Sequence, residues 1–411
     1  MAVVSFIFLI LLLGDLVWCW NFHRRLRRFP QPRLWQAALL FFTGIQVVGL
    51  LLLFFGRRFD LPSEAYTGKP IVAAVYIWHC LVLLPVAFLW FLGKAAAEIL
   101  RIARILAKLP RPKPIPSTAS DRPEGVMTRR DFVATAICAA PALVAIGATG
   151  VSSEQWKRFR IRRLDVPVPS LPAALDGLTI AHVTDLHVGV FTRGAILDSI
   201  VAASNDLRPD LVLLTGDLIN YALTDLPVAL AVVQRLQATH GVFLCEGNHD
   251  LFEDADTFRQ FTRDAGLRLL VNDSALLSVR GVPLQILGLR WGAGHGDPRA
   301  MSSRGDLAVA GSMQELLVQR RADVFPILLA HHPHAFDYAE NIPLTLAGHT
   351  HGGQLMLNSH IGFGPAMYRY WSGLYQKPDR ALVVSNGVGN WFPLRANAPA
   401  EIVHLTLRRT V

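Results

Sequence analysis

Hydrophobic and polar positions divide this chain into two regimes. Up to about residue 152 the apolar residues come in long unbroken stretches, 3–20, 34–55, 71–92 and 132–151. Each is about the length at which a helix crosses a hydrocarbon core of roughly 30 Å. The fourth is the weakest, being rich in Ala and Gly and interrupted by Pro141, but its basic flank supports it as a span. From about Arg160 the apolar runs become short, rich in β-branched residues and bounded by turn formers. Runs 178–183, 211–214, 242–245, 284–289, 326–330, 344–347, 381–384 and 402–407 read as buried strands. Helical spacing over 195–205 and 226–236 sits between the first three of them, the pattern of repeated βαβ units. Such units make a mostly parallel α/β sheet whose ligands bind beyond the carboxyl ends of the strands.

Composition and charge follow the same division. The chain is 52% hydrophobic and 17% charged, too apolar for an ordinary soluble protein of 411 residues. Residues 1–152 hold 17 Lys and Arg against 7 Asp and Glu, and the remainder holds 23 against 24. The net charge of +9 therefore belongs to the apolar part, where basic loops beside spans set membrane topology. The nearly neutral C-terminal part offers no basic surface for nucleic acid, and no nucleic-acid partner is expected.

The loop after the first span carries Arg24, Arg25, Arg27, Arg28 and Arg33, which places it in the cytoplasm and the N-terminus outside. Following the spans in order puts the C-terminal domain on the outer side of an inner or plasma membrane, facing the periplasm or cell exterior. The expected layout is a three-helix transmembrane unit (1–107), a cytoplasmic linker (108–128) with five prolines, a fourth anchor segment (129–152) and a catalytic domain (160–411). Prolines at that density cannot continue a helix, so the membrane and catalytic units are expected to be separate modules. Arg129-Arg130 before the fourth apolar stretch resembles a twin-arginine export signal, which makes that export machinery an expected partner. No small-residue cleavage site follows, so the segment is expected to remain as an anchor. Cys19, Cys80 and Cys138 lie in apolar spans and Cys245 ends a strand-like run, a pattern without a disulfide framework or a thiolate metal site.

Five short pieces follow the strand-like runs: Asp185-Leu-His187, Gly216-Asp217-Leu-Ile-Asn220, Gly247-Asn248-His249-Asp250, His331-His332-Pro333 and Gly348-His349-Thr-His351. Each alone is ordinary. In order, after five separate strands, they describe a two-metal hydrolase site. Divalent metals of mixed preference take carboxylate oxygens and imidazole nitrogens, and the pieces supply Asp185, His187, Asp217, Asn248, His331, His349 and His351. Two such ions, manganese, iron or zinc, are the expected cofactors, sharing one carboxylate and activating water for attack on phosphorus. His249, beside Asn248 but not needed as a ligand, is suited to stabilise or protonate the leaving oxygen. Of the adjacent pair His331 and His332, His331 is the expected ligand. His182, inside a strand, reads as a core histidine. Asn220 reads equally as support for Asp217 or as a turn residue.

With these motifs the stretch 160–411 resembles the calcineurin-like metallophosphoesterase superfamily. The resemblance implies an αββα sandwich of two mixed sheets flanked by helices. It assigns one ion to Asp185, His187, Asp217 and His351, the other to Asp217, Asn248, His331 and His349, with Asp217 as bridge and His249 as catalytic imidazole. Gly352-Gly353-Gln354, Ser385-Asn386-Gly387-Val388-Gly389, Pro393-Leu394-Arg395 and Glu401-Ile402 further resemble a membrane-anchored or twin-arginine-exported bacterial branch. Where many of its members carry Arg after the Ser, this chain has Asn386.

The resulting expectation is a membrane-anchored, metal-dependent phosphoesterase acting on a phosphoester substrate beside the lipid bilayer. The alternatives are a lipid-directed pyrophosphatase of the cell envelope, similar to UDP-diacylglucosamine hydrolases and acting on lipid-linked substrate, and a non-catalytic sensor or scaffold. Tyr368, Tyr370, Trp371 and Tyr375 read as a loop packed by its own aromatics in preference to a pocket wall. Replacing Arg129 and Arg130 by Lys is expected to hold the domain in the cytoplasm, followed by cell fractionation; undiminished export rejects the signal.

Overall fold

The computed structural model describes residues 2–58, 68–107, 128–292 and 303–409. The proline-rich linker lies outside the described residues except at its last position. The chain forms two compact units, Met1–Ser153 and Glu154–Val411.

Among the described residues the first unit is built on four helices, α1 (Ala2–Leu26), α2 (Pro32–Arg58), α3 (Lys69–Leu106) and α4 (Arg129–Gln155, whose last two residues belong to the second unit), each long and apolar enough to cross a membrane. α3 continues from residue 92, where a span was expected to end, to Leu106. Lys94-Ala-Ala-Ala-Glu98 and the residues after it are strong helix formers with nothing to stop them. α4 carries Pro141 inside it without ending there. The middle of α3, Ile77–Leu83, is a π-helix. It presents Trp78 and His79 to Asp15 of α1. Trp78 Nε1 donates to Asp15 Oδ1 at 2.7 Å, and His79 Nε2 lies 3.0 Å from Asp15 Oδ2. All three are buried, and hydrogen bonds of this kind join apolar helices that lack a hydrophobic drive of their own.

The second unit is built on twelve strands among the described residues. They are β1 (Arg160–Val168), β2 (Thr179–Val183), β3 (Leu211–Thr215), β4 (Val242–Cys245), β5 (Arg268–Leu269), β6 (Asp273–Val279), β7 (Val282–Gly288), β8 (Phe325–Leu329), β9 (Leu344–Ala347), β10 (Gly373–Lys377), β11 (Arg380–Val384) and β12 (Glu401–Arg409). They form two six-stranded sheets, ordered β1-β12-β2-β3-β4-β5 and β10-β11-β9-β8-β7-β6. Both sheets are mixed: β2, β3, β4 and β5 run parallel while β12 opposes β2, and β7, β8, β9 and β11 run parallel while β6 and β10 are antiparallel edges. One apolar core, including Ile180, Leu213, Phe243, Ile286, Ile327, Leu346 and Leu405, fills the space between the sheets. A second covers the outer face of the first sheet with α5 (Ala195–Asp206), α6 (Leu226–Gln234) and α7 (Ala255–Asp264). On the other side α8 (Ser303–Leu317) and the short α9 (Ala335–Tyr338) pack on the second sheet. This is the αββα sandwich.

All eight strands read from the sequence are present. The four that were not read, β1, β5, β6 and β10, are the four sheet edges. Edge strands keep one side in water and carry charge or breaks to prevent further pairing; β1, Arg-Ile-Arg-Arg-Leu-Asp-Val-Pro-Val, shows both.

Beyond the strand ends the two sheets are stitched together by backbone. Asp185 N donates to Gly216 O at 3.0 Å within the first sheet, and Gly348 N to His331 O at 3.1 Å within the second. The loop after β11 crosses over, with Val388 N donating to Thr184 O at 3.0 Å and Gly389 N to Asp185 O at 2.8 Å. At Gly389 the loops lie so close that a Cβ would overlap the carbonyl of Leu186. Gly389→Ala is therefore expected to destabilise the unit by about 1–3 kcal/mol, as overpacking does; an unchanged denaturation midpoint would show that the crossover yields.

Candidate metal centre

The five pieces identified in the sequence converge at one end of the sandwich. Asp185 and His187 follow β2, Asp217 follows β3, Asn248 and His249 follow β4, His331 follows β8, and His349 and His351 follow β9. The last three belong to the second sheet and the others to the first, so the cluster closes the end of the inter-sheet core.

Two groups of donor atoms face inward. In one, His187 Nε2 and His351 Nε2 are 3.0 Å apart, Asp185 Oδ1 lies 3.7 Å from the first and 3.2 Å from the second, and Asp217 Oδ2 lies 3.4 Å from His187 Nε2. In the other, His331 Nε2 is 3.1 Å from Asp217 Oδ2 and 3.2 Å from His349 Nδ1, which is 2.9 Å from Asn248 Oδ1. Asp217 belongs to both. His332 is outside them, its ring against His334 and Trp291.

Five of these seven residues hold a positive φ: Asp185 54°, His187 44°, Asp217 55°, His349 70° and His351 49°. A non-glycine residue there is strained by about 1–3 kcal/mol, and such strain collects at functional sites. The strain has visible supports. The Asp250 carboxylate accepts from four backbone N–H groups, those of Asp217 (2.9 Å), Leu218 (2.7 Å), Ile219 (3.2 Å) and Gly247 (2.9 Å), and so clamps the turn after β3 to the turn after β4. Gly247 sits where a Cβ would overlap Asp217. On the other flank a line of donors runs from His182 Nε2 to Thr215 Oγ1 (2.9 Å), on to Thr184 Oγ1 (2.8 Å) and to Asp185 Oδ2 (2.8 Å). His182 is thus a buried histidine, as read, but one that orients Asp185 at a distance. Burial lowers its pKa to about 4, keeping it neutral.

The ring environments fix how each imidazole faces the cluster. His331 Nδ1 donates to Thr215 O at 2.5 Å and turns Nε2 inward; His249 Nδ1 donates to Asn220 O at 2.5 Å and likewise leaves Nε2 free. The backbone of Asn220, not its side chain, thus orients the imidazole. The His249 N–H donates to Asp217 Oδ1 at 2.8 Å, and its ring lies edge-on to His187 and against Phe252.

Electrostatics mark the cluster as a place for positive charge. Burial pushes the Asp217 carboxyl upward, but the facing His331, His249 and His187 more than offset it and leave it below the usual carboxylate range. Asp185 is likewise lowered well below that range, burial being outweighed by His351, His187 and His331. Burial would lower His331, yet the Asp217 carboxylate raises it to about 9, so a proton on His331 supplies the cation that Asp217 faces. Burial, with His331 and His332 beside it, lowers His349.

A bound divalent cation fits this donor set. Facing nitrogens 3.0 and 3.2 Å apart cannot satisfy one another unless a proton or metal lies between them. His187 Nδ1 and His349 Nε2 are buried without a partner, so neither ring is held by a competing bond on its far side. His351 fits less simply. Arg395 Nη2 donates to its Nδ1 at 2.7 Å, which leaves the ring proton on Nε2, pointing at Asp185. Arg395 must shift before Nε2 offers a lone pair.

Sequence reasoning passed over Asp250, Arg395 and the His182 relay. Asp250 stood in the quoted Gly-Asn-His-Asp piece, and its place directly after His249 was the available signal.

Comparison with known proteins gives the same region. The family model described as calcineurin-like phosphoesterase matches residues 178–353. An uncharacterized metallophosphoesterase of Helicobacter pylori is 30% identical over 261 residues, covering 61% of this chain and 66% of that protein. A transmembrane protein with metallophosphoesterase domain from Danio rerio is 29% identical over 264 residues, 60% of this chain and 56% of the relative. Phosphodiesterase YaeI of Escherichia coli is 28% identical over 242 residues, 56% of this chain and 81% of its own length. The chain thus spans less than two thirds of the length of the first two relatives.

Asp250→Ala would strand four buried N–H groups and is expected to cost about 3 kcal/mol or more. Asp250→Asn, which keeps one acceptor oxygen, is expected to cost less. Denaturant midpoints of the two variants check the order; equal midpoints would remove the clamp.

Proposed function

Because the chain belongs to the calcineurin-like metallophosphoesterase superfamily, we propose that residues 160–411 hydrolyse phosphoester bonds with the help of two divalent ions. The reading rests above all on one observation: residues from five separate strand ends converge on Asp217 with their backbones strained to do so. A set of turns serving only the fold has no reason to hold positive φ at five of seven polar positions. Asp185, His187, Asp217 and His351 would hold one ion, and Asp217, Asn248, His331 and His349 the other. Bound there, manganese, iron or zinc would lower the pKa of water and draw charge from a phosphoryl oxygen.

The chain's own residues carry the rest. Asp217 keeps the two halves of the site at a fixed separation, its backbone set by Asp250. His249, with Nδ1–H committed to Asn220 O, presents Nε2 to the reacting group, where the ring in its imidazolium form would donate to the leaving oxygen or deliver the Nε2 proton to it. The walls formed by Trp391, Phe252 and Trp291 against the histidine rings limit water around them. The four apolar helices support a multi-pass membrane protein, and the basic first loop supports an extracytoplasmic catalytic unit.

Purified full-length protein loaded with manganese should hydrolyse bis(p-nitrophenyl) phosphate. Asp217→Asn and His249→Ala are each expected to lower kcat by about a hundredfold or more, and chelation should abolish activity until manganese is returned. Near-normal turnover in Asp217→Asn, or in chelated protein, would overturn the reading.

A further inference from the structure

A cavity of about 620 Å³ lies beside the metal centre and contains none of its ligands. It opens between the edge of the first sheet and the edge of the second. Arg160 and Arg162 of β1 form one wall; Trp371, Tyr375 and Met356 supply apolar surface opposite, and Asn386 lies at the side next to the metal centre. The cavity touches that centre through Gly352, which follows His351 in the chain, and through Asn386, which precedes Gly387 packed on Asp185. β1 lies two strands from β2. At strand spacings of 4.7–4.9 Å the arginines are therefore about 10 Å from the ligands that follow β2.

The charge of the cavity is unbalanced. Arg160 Nε and Nη2 both donate to Glu401 Oε2, at 2.9 and 2.7 Å, and so neutralise that fully buried carboxylate. Arg162 approaches the other oxygen of the same group only at 3.5 Å. Two guanidinium groups thus face one carboxylate, and the second has a positive charge to spare at the cavity wall. Asn386 supplies no countercharge: its Oδ1 accepts from Ser372 Oγ at 2.6 Å and its Nδ2 donates to Pro399 O at 3.2 Å. The tyrosine hydroxyl is also committed, Tyr375 accepting from Trp371 N at 3.0 Å, so its ring is left as apolar surface.

We propose that this cavity binds the non-reacting end of the substrate, and that this end is a second anionic group carried on an apolar body. Arg162 meets the anion, while Trp371, Tyr375 and Met356 cover the body. Leu357, Ile361 and Phe363, exposed beside the rim residue Met356, continue the apolar surface outward and favour an alkyl chain over a ring as that body. The assignment of this end as substrate rests on reading the neighbouring centre as a phosphoesterase, but binding by the cavity needs neither metal nor turnover.

The test is therefore made on chelated full-length protein in dodecyl maltoside, titrated calorimetrically with hexylphosphonate, phenylphosphonate and inorganic phosphate. Hexylphosphonate is expected to bind at least tenfold more tightly than phosphate, Arg162→Gln to weaken the binding of both, and Arg162→Lys to keep most of it. Arg160 is left in place so that Glu401 stays neutralised, and thermal unfolding is recorded for each variant. Should Arg162→Gln fail to fold, Trp371→Ala is expected to remove the preference for the apolar body while phosphate binding is unchanged. Tighter binding of hexylphosphonate than of phenylphosphonate assigns an alkyl chain, and the reverse order a ring, both within the proposal. Equal affinity for all three probes, or full affinity in Arg162→Gln, overturns it. Failure of manganese-dependent hydrolysis would leave this binding result intact, and failure of binding would leave hydrolysis intact.

Discussion

The Asp217 carboxylate is the point at which the two sheets are electrically joined. It belongs to the first sheet through β3, accepts from His249 of the next strand end, and faces His331 from the second sheet. Two buried carboxylates in an apolar sandwich are costly unless positive charge meets them. In the protein alone the histidines provide it, His331 most of all. The consequence reaches the backbone. Bringing oxygen and nitrogen atoms from opposite sheets to one centre requires turns tighter than ordinary residues prefer, hence the positive φ at five positions. The four N–H groups gathered by Asp250 hold that strained geometry in place.

How much of this could be read in advance follows from where each residue faces. Interior strands announce themselves because both faces are buried and nearly every residue is apolar, as in Leu211–Thr215 and Phe325–Leu329. The site was legible because its Asp, Asn and His residues come directly after such strands. Edge strands were not legible. β1 alternates charge with apolar residues, the pattern of a solvated loop as much as of a strand, and only its pairing with β12 decides. Arg160 and Arg162 were consequently given no role, when the pairing of Arg160 opposite Glu401 and of Arg162 opposite Val403 brings both guanidinium groups to the Glu401 carboxylate. The aromatic segment was half understood for the same reason. Tyr370 packs into the second sheet's outer core, as a loop residue would, but Trp371 and Tyr375 also face the cavity created by that unseen edge. Asp250 and Arg395 stood in quoted motifs but were given no role, because most of their bonds go to backbone groups, which leave no trace in a side-chain pattern.

The membrane unit obeys a related rule in a different solvent. Its apolar stretches were recognisable by length, but the polar contacts inside were not. Val75 O accepts from His79 Nδ1 at 2.8 Å, while His79 Nε2 and Trp78 Nε1 both meet the Asp15 carboxyl. Pairing of this kind is how an aspartate is accommodated among apolar helices. The π-helical segment makes the pairing possible by rotating Trp78 and His79 together toward α1. A local departure from α-helix is a small cost beside an unpaired buried carboxylate.

Arg395 joins the loops around the cluster to the end of the fourth helix. Its guanidinium is buried among carbonyls of the loops after β9 and β11, donating to Asn386 O at 2.8 Å and Gly389 O at 2.6 Å as well as to His351. Burial lowers even its pKa, to about 10, without removing its charge at neutral pH. Its backbone is gripped in turn by Gln155, the last residue of α4, which accepts from Arg395 N at 3.0 Å and donates to its carbonyl at 2.7 Å; Trp156 donates to Pro393 O at 2.8 Å. The chain entering the second unit is thus bonded to the residue that holds His351. A catalytic unit begun beyond Trp156 would lack both grips, and the loop bearing Arg395 would be freer to release His351 Nδ1. The segment leaving the fourth helix is for that reason part of the site's framework.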